Sequence, residues 1–155
     1  MADKRIQTPY DALTYQIIGA AMTVHRTLGP GYRENTYQCD LGVELARRNV
    51  AYEPQKRLAV YDGIAHEVLI GYYIPDFVVE GLVIVEIKAL PNLDNTHVAQ
   101  IIGYLAVTRC PVGLLINFGA RSLEQKRILP PTKFLDHQVN RQWLYSPPSL
   151  RAAEE

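Results

Sequence analysis

Apolar side chains recur at Leu13, Ile17, Ala20, Ala21, Val24 and Leu28, the spacing of one face of an α-helix over residues 11 to 28. Gly29-Pro30-Gly31 stops it. A second helix is expected from Arg33 to Arg48, with Tyr37, Leu41 and Leu45 on one face and Asn49 as its stop. The period then changes. Residues 51 to 60 read as a strand, Asp62-Gly63 as a hairpin signal, and a second strand runs through Tyr73. Asp76 to Val79 continues or follows that strand, and Glu80-Gly81 turns the chain. Leu82 to Ile87 is almost unbroken in its apolarity, as in a central strand covered on both faces. After Pro91, Asn92 to Asp94 offer caps for a third helix that buries Val98, Ile101, Ile102 and Leu105. Val112 to Phe118 reads as another buried strand, and Lys126 to Leu129 as a short one. The order helix, helix, three strands, helix, strand predicts an α/β sandwich around a mixed sheet.

A chain of 155 residues favours one domain and can bury roughly 70% of its unfolded surface. The pattern divides it into a polar arm at 1–10, a folded domain at 11–135 and an irregular tail at 136–155. Sixteen basic residues balance sixteen acidic ones, so no global field draws nucleic acid or an anionic membrane. That balance still allows basic residues to line one groove. Arg33, Arg47, Arg48, Lys56 and Arg57 are candidates for such a rim, or for ordinary solvated surface. Cys39 and Cys110 form no CxxC pair, so neither a thiolate metal site nor a disulfide framework is expected. With no apolar N-terminal run and no membrane-length apolar stretch, the expectation is a cytoplasmic protein.

One stretch conflicts with its own hydrophobicity. IPDFVVEGLVIVEIK reads as two core strands joined by a turn, yet it carries Asp76, Glu86 and Lys88 at its ends. Desolvating such groups unpaired costs several kcal/mol. In an antiparallel hairpin Asp76 at the start of one strand comes beside Glu86 at the end of the next. Lys88, two residues on, points to the same face. Two carboxylates so placed suit Mg²⁺, which takes oxygen ligands and keeps several waters. Ile87 points the other way, leaving its carbonyl as a further ligand. The plainer alternative is a capped turn at Asp76 and a solvated cross-strand pair.

Pro75-Asp76 followed by Glu86-Ile87-Lys88 resembles the signature of the PD-(D/E)XK nuclease superfamily. Gln100-Ile101-Ile102-Gly103-Tyr104 is similar to the QxxxY element of its RecB-type and lambda-exonuclease branch. Gly31-Tyr32-Arg33-Glu34-Asn35-Thr36-Tyr37 resembles the motif that names the GxxExxY protein family, as do GLLINFG and the later Lys126-Arg127 pair. The resemblance covers residues 10 to 130. It implies a restriction-endonuclease-like αβββαβ core and a Mg²⁺- or Mn²⁺-dependent site cutting phosphodiester bonds, in DNA ahead of RNA. Asp76 and Glu86 would be metal ligands and Lys88 the catalytic lysine. Glu34 would supply a further acid from the preceding helix, and Gln100 and Tyr104 would lie against the site.

Tyr37, one turn from Glu34, is open to substrate contact or to packing, and His97 shares a helical face with Gln100 and Tyr104. His25 reads as a hydrogen-bonded structural residue. A homodimer is the expected means by which so small a nuclease engages a duplex. A nucleic-acid-binding or protein-interaction module with the same fold and no turnover is the competing reading.

Overall fold

The computed structural model describes residues 8–62, 67–108 and 110–130. The expected Asp62-Gly63 hairpin turn falls partly, and the expected tail at 136–155 wholly, outside them. Helix α1 spans Asp11–Leu28 and ends at Gly29, whose N–H donates to the carbonyl of His25. Helix α2 spans Glu34–Arg47, and Asn49 follows it in the left-handed region at φ 57°, the stop that its sequence predicts. Arg48 ties the two helices together. Its guanidinium donates to Glu44 on α2 and to the Gly19 carbonyl and Thr23 hydroxyl on α1, so it is not available to the expected phosphate-binding rim.

Strands β1 (Tyr52–Pro54), β2 (Leu58–Tyr61), β3 (Leu69–Tyr73), β4 (Phe77–Val79) and β5 (Val83–Lys88) precede helix α3 (Asn95–Thr108), and β6 (Val112–Asn117) and β7 (Glu124–Ile128) follow it. The main sheet has the order β1-β4-β5-β6-β7. Among the described residues only β5 and β6 pair in parallel, and α3 is the crossover that parallel neighbours require. The expected strand at 51–60 is in fact two strands in two sheets, because β2 pairs with β3 in a separate ribbon. The break has a local cause: Pro54 has no N–H for a ladder, and Gln55 turns through φ 54°. This mixed five-stranded sheet flanked by helices has the layout of a restriction-endonuclease-like fold.

The sheet separates two cores. One face buries Phe77, Val79, Val83, Val85, Ile87 and the alternate residues of β6 against α1 and α2. The other buries Val78, Ile84 and Leu115 beneath α3 and the β2–β3 ribbon. Strand alternation therefore puts Glu86 and Lys88 on the α3 side and Ile87 on the α1–α2 side.

The loop leaving β5 is held from β6. Asn117, fully buried, donates to the carbonyl of Leu90 at 2.9 Å and accepts its N–H at 2.8 Å, while also donating to Glu124. Gly119 lies so close that a Cβ there would sit 2.3–2.5 Å from backbone atoms of Ala89 and Leu90. Neither neighbour can yield, because the obstruction is main chain. Gly119→Ala should therefore cost about 3 kcal/mol or more. A thermal melt should show this as a drop of about 10 °C, and an unshifted melting temperature would contradict the close approach.

Candidate active site

The geometry begins at a turn. Glu80 and Gly81 both adopt positive φ, 53° and 68°, and the Leu82 N–H donates to the Val79 carbonyl, giving the tight primed turn that matches strand twist. That turn sets the register Val79↔Val83, Val78↔Ile84, Phe77↔Val85. One further step brings Asp76 opposite Glu86 on the α3 face. The N–H of Ile87 confirms the alignment by donating to Asp76 Oδ2 at 2.7 Å.

Asp76 is held on several sides. Gln55 donates its side-chain amide to Oδ1 at 3.4 Å and its backbone N–H to the Asp76 carbonyl, which also accepts from Gln38. Burial nevertheless raises the proton affinity of Asp76, against the Ile87 N–H and the charge of Lys88. Glu86 is shifted further, to about 7. Burial is the main cause and the Asp76 charge adds to it, while the Tyr73 hydroxyl and Lys88 oppose it. The ammonium of Lys88 forms no ion pair with a described residue and acts on both carboxylates through space.

Glu34 stands apart from this pair. It opens α2 as an exposed residue, one turn before Gln38, so it shares the helix face whose glutamine reaches Asp76. Among the described residues no group of three or more His, Cys, Asp or Glu side chains is close enough to hold a metal, so Glu34 does not complete a three-acid cluster with Asp76 and Glu86.

Tyr37 packs in the core. It is fully buried, stacked on Phe118 at 4.7 Å, and its hydroxyl donates to the Gly29 carbonyl and accepts from the Tyr32 N–H. In Gly31-x-x-Glu34-x-x-Tyr37, then, the glycine (φ 113°) and the tyrosine build the loop that starts α2. Glu34 is the member left facing solvent. His25 is structural as expected, with Nε2 3.0 Å from the Ala120 carbonyl.

On α3, Tyr104 stacks face to face on Tyr73 with ring centres 3.6 Å apart, and Tyr73 donates to Glu86 Oε1 at 2.5 Å. Gln100, one turn earlier, is exposed. His97 lies 3.9 Å from Asp94 at the start of its own helix. Arg33, exposed, is the residue before α2. Tyr73, Gln55, Gln38 and Asn117 are contacts that sequence reasoning missed. A strand tyrosine and a loop glutamine carry no pattern of their own, and only the fold brings them to the acids.

A family model described as the PD-(D/E)XK nuclease superfamily matches residues 11–128. The chain belongs to that superfamily. Its fold is similar to that in the crystal structure of SSO0001, with a TM-score of 0.51 and 16% identity over 92% of this chain and 68% of that one. No curated protein matches it. Asp76 follows a proline, and Glu86-Ile87-Lys88 has the (D/E)XK spacing, both within the matched range. The donor set suits a hard divalent cation: two half-buried carboxylates lie at the same end of one strand pair, both with raised proton affinity.

Proposed function

We propose that this chain is a Mg²⁺- or Mn²⁺-dependent nuclease of the GxxExxY group, hydrolysing phosphodiester bonds in DNA ahead of RNA. The observation that supports it most is the juxtaposition of Asp76 with the Glu86-Ile87 end of β5, where the Ile87 N–H donates to the Asp76 carboxylate, with Lys88 on the same strand face as Glu86. Asp76, Glu86 and the Ile87 carbonyl are the proposed metal ligands, and Glu34, exposed at the start of α2, is a proposed further acid that would have to move to reach the cation. A divalent cation there would neutralise the scissile phosphate and lower the pKa of a bound water.

The chain's own residues have separate tasks in this reading. Asp76 is oriented by Ile87 N–H and Gln55. Lys88, which forms no ion pair with a described residue, offers its charge to the phosphoryl oxygens as negative charge develops. Gln100 and Tyr104 border the site from α3, and His97 and Arg33 are the proposed substrate contacts. Among the described residues no helix is long and apolar enough to cross a membrane. We place the protein in the cytoplasm, where the thiols of Cys39 and Cys110 would stay reduced. A second copy is a further proposed partner, since a duplex presents two strands to a chain with one such site. Light scattering with and without duplex DNA would decide that point.

The test of the activity is a metal titration paired with cleavage. Millimolar Mg²⁺ or Mn²⁺ should raise the melting temperature, because the unfolded chain has no comparable site, and the same metals should support cutting of single- or double-stranded DNA. A melting temperature indifferent to both metals, with no DNA or RNA cut, would leave a binding module in place of an enzyme.

A further inference from the structure

Tyr73 belongs to the β2–β3 ribbon, not to the main sheet, and is only 6% exposed. A core tyrosine ordinarily satisfies its hydroxyl with a backbone carbonyl or water. Here the hydroxyl donates to Oε1 of Glu86, a carboxylate on a strand of the other sheet. The ring cannot swing away from that bond easily, because Tyr104 of α3 covers it in a near-parallel stack, 6° between planes. Three elements thus meet on one carboxylate: β5 supplies it, β3 bonds it, and α3 braces the bond. A glutamate side chain left free would surrender rotamer freedom on binding a cation, whereas one oxygen already held leaves the group oriented beforehand.

Resting on the metal-site reading above, we infer that Tyr73 is a positioning residue for Glu86, and that Tyr104 serves the site by holding the Tyr73 ring. The QxxxY tyrosine then acts through a second tyrosine that no motif contains. The hydroxyl and the ring have separable roles, so two variants address them. Tyr73→Phe keeps the ring and its stack and removes only the donor. Tyr104→Leu keeps the donor and removes the aromatic face.

The experiment is calorimetric titration of the full chain with MnCl₂ near pH 7.5, beside melting curves without metal. Tyr73→Phe should melt within a few degrees of wild type yet bind Mn²⁺ about tenfold or more weakly, the size of effect seen when a partner of a metal ligand is removed. Tyr104→Leu should weaken Mn²⁺ binding in the same direction. A tyrosine that merely packs would change the melting curve and not the affinity. Tyr73→Phe binding Mn²⁺ as tightly as wild type, or more tightly, overturns the role of Tyr73, and wild-type affinity in Tyr104→Leu overturns that of Tyr104. Wild-type protein that gives no Mn²⁺ binding at all overturns the metal-site reading itself, and this inference with it.

Discussion

Lys88→Ala is expected to remove nearly all cleavage, about 10²–10³-fold or more, while leaving the metal-dependent rise in melting temperature intact. Lys88 sits on the same face as Glu86, bears on both carboxylates and forms no ion pair with a described residue. Its charge is therefore free for the reaction. It also disfavours a second cation nearby, so its removal should leave metal affinity unchanged or slightly tighter. Glu86→Gln must behave differently. It removes a ligand charge at nearly constant volume, and both the metal-induced stabilisation and the cleavage should disappear. The measurement is a two-by-two comparison of melting temperature and initial cleavage rate, with and without Mn²⁺. If Lys88→Ala lost metal-dependent stabilisation along with activity, the lysine would belong to the cation site.

The second large effect is a fall in stability with rising pH when no metal is present. Glu86 is held at about 7 in the folded protein against an ordinary value of 4.5, chiefly by burial. Between those values the folded chain keeps a proton that the unfolded chain releases, so stability falls as pH rises through that window. At about 1.36 kcal/mol per pH unit, the gap of 7 − 4.5 amounts to on the order of 3 kcal/mol. Asp76, also raised by burial, acts with the same sign. Asp11 and Asp94 are lowered by their hydrogen bonds, and their stabilising effect is lost only below pH 4, outside the window. Metal-free protein should thus melt about 10 °C lower at pH 8 than at pH 5. Millimolar Mn²⁺ should recover much of that loss at pH 8 and little at pH 5, where a proton already occupies Glu86. Glu86→Gln should flatten the metal-free profile. A wild-type profile that is flat or rises from pH 5 to 8 would refute the assignment of the buried charge.

Much of this site was legible before any coordinates. The alternation of IPDFVVEGLVIVEIK places Asp76, Glu86 and Lys88 correctly, because side-chain direction in a strand follows from parity and the Glu80-Gly81 turn fixes the register. Tyr37 was legible only as an alternative, since a tyrosine one helical turn from an acid looks the same whether it packs or binds. The split of residues 51 to 60 between two sheets depended on Gln55 taking a left-handed conformation that propensity does not announce.

What the chain by itself determined are the features that depend on near neighbours: the helical stripes, their glycine and asparagine stops, the apolar central strand and the acidic pair across one short turn. These rest on steric and hydrophobic rules acting over a few residues, so the order of amino acids is enough. Tertiary structure alone decided which distant groups serve that pair. Tyr73 reaches Glu86 from another sheet, and Tyr104 braces it from a helix that crosses over the sheet. Asn117 and Gly119 fix the loop beyond Lys88 from the neighbouring strand. Glu34, one turn of helix from Gln38, stays exposed and forms no three-acid cluster with the pair. Such contacts are selected by the packing of whole faces, and the spacing of residues along the chain does not encode them.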